Sequence, residues 1–377
     1  MVNNILVTGV TGNVGSHVLY ELLYDFYYTE NTTPIYVVIR PTKGKTGRER
    51  LWEEVFDEKL IPEKIKPFYQ YFYKNQIHVI EGEIDCFDIP VVSGTKFLIY
   101  HLAASVNLGN TEKAKLEITN INYAKTKAFF DIIKNHTQKL VFVSTAFSCG
   151  DAGGLIKDDY HQGKEFDFRN HYEAFKMKIE KEVLAFAEEH HFECTIARPS
   201  IVSGRLLDFP KFVTNNYSVF YNFGAFFKKM RAIKPELGKI RLAINSQCGL
   251  NMLPVDYVAK GVIQAGYCSE KQINITHTQN LSVTFFVTQM LEKCGITDFE
   301  FVETIPTDLS KIENLYYNTV GGQLVSYVTS KLHEFESKNI RDLLKNIEEP
   351  NMKDLFKELY DFAHDINFDN RNLKSIP

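Results

Sequence analysis

Residues 5–15 read Ile5-Leu6-Val7-Thr8-Gly9-Val10-Thr11-Gly12-Asn13-Val14-Gly15. Three apolar residues run into a loop with glycine at every third position, and a helix-like stretch, Val14 to Leu23, follows at once. The tight turn needs backbone angles that glycine adopts without strain. A bare backbone lets a phosphate approach closely, and Gly15 lets the helix lie against the strand. The helix N-terminus then offers unpaired N–H groups and the positive end of its aligned peptide dipoles. Strand, glycine loop and helix in this order predict a dinucleotide-binding unit at the start of the chain.

Further compact apolar runs follow at Ile35–Ile39, Ile77–Ile80, Phe97–Tyr100, Leu140–Val143 and Cys194–Ala197. Runs without alternation predict strands buried on both faces. Helical spacers between them predict right-handed crossovers and a parallel sheet. The fold expected is α/β, a doubly wound parallel-sheet Rossmann fold with a smaller, mostly C-terminal α/β substrate-binding region. Residues 1–204 are assigned to the first part, with a return of the chain around 249–276, and residues 205–377 to the second. Beyond Gly204 the stretch Phe209–Phe227 is dense in aromatics and is read as core rather than ligand contacts, although a large apolar pocket would have to be lined by such side chains. Strand-like runs recur at Ile240–Ile244 and Gln272–Thr276, and Ser330–Ile347 reads as helical and charged.

With 377 residues, a net charge of −4 and 44% hydrophobic content, the chain is enzyme-sized and globular, which excludes disorder and collagen-like repeats. The mild acidity argues against nucleic-acid binding. No run approaches the roughly 18 apolar residues of a membrane span. Met1-Val2-Asn3-Asn4 lacks the basic start of a secretory leader. The six cysteines are scattered without CxxC spacing, so they signal no zinc site and fit a reducing, cytoplasmic setting. Glu188-Glu189-His190-His191 is read as a solvated helix end, and no metal is expected.

The second strand ends in Ile39-Arg40-Pro41, with Lys43, Lys45, Arg48 and Arg50 beyond. An NAD site places a carboxylate at that strand end for the ribose 2′-hydroxyl. Arg40 instead suits a 2′-phosphate, so NADP(H) is the cofactor expected. Tyr172 and Lys176 lie four residues apart and share a helix face. A phenol with a pKa near ~10 needs a neighbouring ammonium to act as acid or base at neutral pH. Ser144 and Thr145 follow the fifth strand directly, where a hydroxyl can bond a substrate carbonyl, and Thr145 is preferred.

In these segments the chain resembles the extended short-chain dehydrogenase/reductases, and most closely their thioester-reductase and fatty acyl-CoA reductase branch, of male-sterility type. TGVTGNVG is similar to the branch's TGxTGxxG loop, VVIRP to its Arg-containing segment, and EGEID to its GD[LI] segment. HLAASVN, VSTAF, FRNHYEAFKMKIE, ARPSIVSG and LPVDYV resemble its later segments in order. Three positions depart from the pattern: Glu83 stands for Asp, Lys125 for Gly and Phe175 for Ser. The resemblance implies cofactor contacts at Gly9, Thr11, Gly12, Asn13, Val14, Gly15, Arg40, Arg50, Glu83, Ile84, Ala103, Ala104, Tyr172, Lys176, Pro199 and Ile201. It implies Tyr172 as proton donor, Lys176 tuning it and Thr145 orienting the carbonyl, in NADPH-dependent reduction of an acyl-CoA or carrier-protein-bound thioester to aldehyde or alcohol. Asp256 reads equally as part of this pattern or as a helix cap, and His101 as a structural strand-end residue. Two other readings stay open: a ketone or alcohol oxidoreductase of the same family, and a non-catalytic dinucleotide sensor. The charged C-terminal helices are read as a plain exposed face, with docking of a carrier protein as the alternative.

Overall fold

Alternate residues of the innermost strands turn to opposite sides, and both sides are buried. Ile5 and Val7 pack on one face and Leu6 on the other, as do Val141 against Leu140 and Phe142. A strand covered on both faces must be apolar throughout, which accounts for the runs seen in the sequence. The computed structural model describes residues 4–90, 94–159 and 167–373. The start of the chain, read above for a missing leader, lies at residues 1–3 outside the described residues.

Seven parallel strands form the central sheet: β1 (Asn4–Thr8), β2 (Ile35–Ile39), β3 (Ile77–Glu81), β4 (Phe97–His101), β5 (Thr137–Val143), β6 (Glu193–Pro199) and β7 (Gln272–Ile275). Their spatial order is 3-2-1-4-5-6-7, all in parallel register. The order reverses between β1 and β4, and ligands of such sheets bind outside the carboxyl ends of the strands at that point. Helices α1 (Asn13–Tyr28), α2 (Lys125–Ile133) and α3 (His171–Glu189) lie along the sheet. Helix α1 shares one face with Val258, Val262 and Ile263 of a later helix, Val255–Ala265, while Phe129, Phe130, Ile179 and Val183 of α2 and α3 cover the other.

The chain leaves the sheet after β6 and comes back to it. Ile201–Ser203 pairs in parallel with Met252–Pro254, and β7 then extends the sheet beside β6. Around this return, helices Phe220–Ile233, Val283–Lys293 and Met352–Asp365 and the parallel pair Ile240–Ala243 with Phe299–Val302 enclose a second apolar core. Of the aromatic stretch, Phe220, Phe223 and Phe227 belong to this core, whereas Phe209 is 61% exposed.

The continuous helix expected over Ser330–Ile347 is not formed. His333–Phe335 is a strand paired in parallel with Gly154–Ile156, and only Lys338–Leu343 is helical. His333 and Phe335 are buried while Glu334 is exposed, a period of two that a helix cannot satisfy. No helix among the described residues is long and apolar enough to cross a membrane.

Candidate active site

At the end of β1, Gly9 adopts φ +75°, and an added Cβ would stand 2.7 Å from the backbone nitrogen of Ala103. The Gly12 N–H donates to the Gly9 carbonyl at 2.9 Å, closing the turn. Among the described residues no side chain caps α1 at Gly12, and no charged residue sits in its first turn. Gly12, Asn13, Val14 and Gly15 line a cavity, and the amides of Asn13, Val14 and Gly15 form the uncapped start of the helix. A close backbone approach with an uncapped helix end fits the diphosphate of a dinucleotide. Thr8 Oγ1 ties this loop to β4. It meets His101 Nδ1 at 2.9 Å and accepts the N–H groups of Leu102 and Ala103.

His101 is stacked against Phe129 and Phe142. Burial, reinforced by Lys176, pushes its pKa down to about 3, so the ring is neutral. Ala104 lines the cavity with Gly9, whereas Ala103 presents its amide to Thr8.

The far side of the loop has partners the sequence did not announce. Asn13 Oδ1 accepts the backbone N–H of Asn215 at 3.1 Å, and Ser16 Oγ accepts from the Asn215 amide at 3.0 Å. Arg205, buried, donates to His17 Nε2 at 3.2 Å. These residues lie nearly 200 positions apart, and no periodicity links them. Asp256 is buried at the start of its helix. Its carboxylate accepts the N–H groups of Leu206, Leu207 and Asp208, so it organises a distant loop as well as the helix start.

The strand ends of β2 and β3 form the adenosine side. Arg40 is exposed and faces Glu83 at 3.6 Å. Arg50 forks onto Glu54 at 2.8 and 2.9 Å and donates to the Arg40 carbonyl, so it shapes the loop. Lys45 pairs with Glu53, and Arg48 lies over the Tyr73 ring. Glu83 also accepts from Lys125 at 2.9 Å. Ile84 is half-buried beside it in the turn after β3.

Helix α3 begins with a rigid cap. Asn170 accepts the Glu173 N–H, and Arg169 grips the buried Glu173 carboxylate at 3.0 Å while its other arm reaches the Gly150 carbonyl. This fixes Tyr172, one residue into the helix. Tyr172 and Lys176 line the cavity together with Ser144, Thr145, Pro199 and Ile201. The Lys176 ammonium lies 5.7 Å from the Tyr172 ring centre and donates to the Val143 carbonyl at 3.0 Å. Thr145 Oγ1 accepts the Phe147 N–H. Among the described residues the buried Ser144 and Ser200 hydroxyls take no partner.

Burial pushes the Lys176 pKa down to about 8, with Glu180 opposing. Burial, with Glu173 and Glu180, holds the Tyr172 phenol above its ordinary range. In the protein by itself, removal from water sets the direction of the Tyr172 shift. The Tyr172 phenol is therefore neutral in this field.

From the glycine loop the cavity runs past these groups to an apolar end lined by Phe220, Phe223, Leu242, Phe286, Met290 and Tyr327, with a volume of about 330 Å³. No group of His, Cys, Asp and Glu fit for a metal occurs among the described residues. The Glu188–His191 segment is a largely exposed helix end.

The family model described as male sterility protein, an NAD-binding family, matches residues 7–262. The chain belongs to the male sterility protein family. A Drosophila melanogaster protein named as a fatty acyl-CoA reductase (CG8306) is 26% identical over 300 residues, covering 70% of this chain and 54% of that protein. The alcohol-forming fatty acyl-CoA reductase of Simmondsia chinensis is 26% identical over 179 residues, covering 44% of this chain and 35% of its own. The chain thus spans about half the length of the first of these curated relatives. Among solved structures, the terminal R domain of the myxalamid pathway matches with a TM-score of 0.67 at 18% identity, over 97% of this chain and 91% of that one. A thiolation-reductase di-domain from an archaeal non-ribosomal peptide synthetase matches with a TM-score of 0.66 at 21% identity, over 98% and 91%. At these identities the two show the fold alone. In this member of the male sterility protein family, Thr145, Tyr172 and Lys176 lie inside the matched span, while Phe286, Met290 and Tyr327 lie beyond it.

Proposed function

We propose that the protein is an NADPH-dependent reductase of acyl thioesters, acting on an acyl-CoA or a carrier-protein-bound acyl group. One observation carries the reading: a single cavity joins the glycine loop, the Thr145–Tyr172–Lys176 cluster and an apolar end. In this reading residues 1–204, with the return over 249–276, hold the cofactor, and residues 205–377 shape the substrate region. Gly9, Gly12 and the first amides of α1 hold the diphosphate, and Arg40 faces the 2′-phosphate. When bound, NADPH supplies a hydride.

The thioester carbonyl sits beside Thr145 and Tyr172, whose hydroxyls donate to its oxygen. Charge that develops on that oxygen is stabilised where water is excluded. Tyr172 passes its proton to the oxygen, and the Lys176 ammonium steadies the phenolate left behind. The resulting hemithioacetal breaks its C–S bond to give aldehyde and free thiol. The apolar side chains take the hydrocarbon part of the acyl group by excluding water from it.

The test mixes the protein with NADPH and acyl-CoA or carrier-bound substrates of graded length, following NADPH loss and thiol release together. Equal loss and release indicates aldehyde as product, and twice as much NADPH lost indicates alcohol. NADPH loss without thiol release would shift the assignment to a ketone reductase. Neither signal across the whole panel would remove the proposal.

Lys176 also sets a pH dependence. Its charged form is disfavoured by burial, so it is protonated below about pH 8 and neutral above. The kcat/KM for reduction is expected to hold level below that point and to fall above it by about tenfold per pH unit. A profile that stays flat to about pH 10 would exclude an ammonium role for Lys176.

A further inference from the structure

We infer that Lys125 is a positioning residue for cofactor choice: by neutralising Glu83, it leaves Arg40 available to a 2′-phosphate. The inference rests on the NADP-binding reading above and goes beyond it to a residue outside the glycine loop and the catalytic cluster.

Glu83 and Lys125 both depart from the pattern that the sequence resembles, and the fold brings them together. Lys125 opens α2, directly after Ile118–Ala124, a stretch of π geometry. Its ammonium donates to Glu83 Oε2 at 2.9 Å and lies 3.3 Å from Asp85. The other oxygen of Glu83 faces Arg40 at 3.6 Å. Cations and carboxylates thus alternate as Arg40, Glu83, Lys125, Asp85 along the carboxyl edge of β2 and β3. The Gly82 N–H donates to the Ile39 carbonyl, which fixes Glu83 opposite the end of β2.

A carboxylate at this edge selects against NADP in two ways. It repels a phosphate dianion, and it occupies the guanidinium that would bind one. Glu83 alone would do both to Arg40. Its contact with Lys125 is the shorter of the two, and Lys125 hydrogen-bonds it while Arg40 does not. The carboxylate charge is therefore drawn toward α2, away from the strand end where the ribose lies. Of the other cations of the loop, Arg50 is held by Glu54, Lys45 by Glu53 and Arg48 by Tyr73, which leaves the exposed Lys43 beside Arg40.

The test measures dissociation constants of NADPH and NADH for the intact chain by calorimetry, with no turnover involved. Lys125→Ala should weaken NADPH on the order of fivefold and change NADH by less than about twofold, the scale of one exposed charge pair. Lys125→Met, which keeps the apolar stem, should behave the same, so that lost packing is separated from lost charge. Adding Glu83→Gln to Lys125→Ala should restore NADPH binding to near the wild-type value, because the uncompensated carboxylate is gone. Equal weakening of both cofactors, or no rescue by Glu83→Gln, would overturn the inference while leaving the reductase proposal standing. Wild-type protein that binds neither dinucleotide would overturn the reading on which both depend.

Discussion

A Gly15→Ala variant is expected to lose NADPH affinity by at least ~100-fold, about 3 kcal/mol. The added Cβ would stand 2.1 Å from the Gly9 carbonyl oxygen, 2.6 Å from the Gly9 carbonyl carbon and 3.0 Å from Val10 Cα. Every one of these is backbone, so no flexible side chain can turn aside. Helix α1 must move off the loop, and the first amides of α1 move with it. Overpacking of this kind costs about 1–3 kcal/mol of stability, so the denaturation midpoint should fall as well. Gly12→Ala is the useful companion. Its Cβ would meet only the Gly9 oxygen, at 3.2 Å, so the fold should survive while the methyl group intrudes on the phosphate cradle. Affinity measured by calorimetry and stability by thermal melting separate the two variants. Gly15→Ala protein with unchanged melting and near-native NADPH affinity would show that the loop is not the cradle described.

The glycine loop and the strands were legible because their physics is local. A strand buried on both faces is apolar residue after residue, and a close helix–strand approach demands glycine at one position. The Tyr172–Lys176 pair was legible for the same reason, since four residues along a helix return to one face. What could not be read is set by contacts across the chain. His333–Phe335 looked helical among charged neighbours, and only its pairing with Gly154–Ile156 fixes it as a strand. Asp256 offered a helix cap, whereas the fold gives its carboxylate the amides of residues 206–208 some 50 positions earlier. Arg50 was read as a cofactor contact, and its fork onto Glu54, one turn on, was not foreseen. The direction of the Tyr172 shift was also out of reach, because it depends on burial, which sequence spacing does not report. Asn215 and Arg205 were missed entirely. A polar residue that braces a loop nearly 200 positions away leaves no mark in its own neighbourhood.

Tyr172→Phe is expected to lower kcat for thioester reduction by about 10²–10⁴-fold, the usual contribution of one positioned proton donor. The substitution removes a single oxygen. Among the described residues the phenol makes no hydrogen bond, and its ring packs in the core between the sheet, α2 and α3, where a phenylalanine ring fits equally well. The fold should therefore melt within experimental scatter of the wild type, and NADPH should bind within about twofold, since no phosphate contact is touched. The charge argument gives the direction of the loss. A phenol held above its ordinary range keeps its proton until a stronger base is presented, and an oxygen gaining negative charge beside it is that base. With phenylalanine there, the developing charge is left to the hydroxyls of Thr145 and Ser144, which line the same cavity. Stopped-flow measurement of NADPH oxidation in a single turnover tests this step apart from product release. If Tyr172→Phe retains more than about a tenth of the wild-type rate, the donor is another group and the unpartnered Ser144 hydroxyl becomes the one to replace next. If NADPH binding is lost together with turnover, the phenol holds the cofactor and the assignment of the proton to it fails.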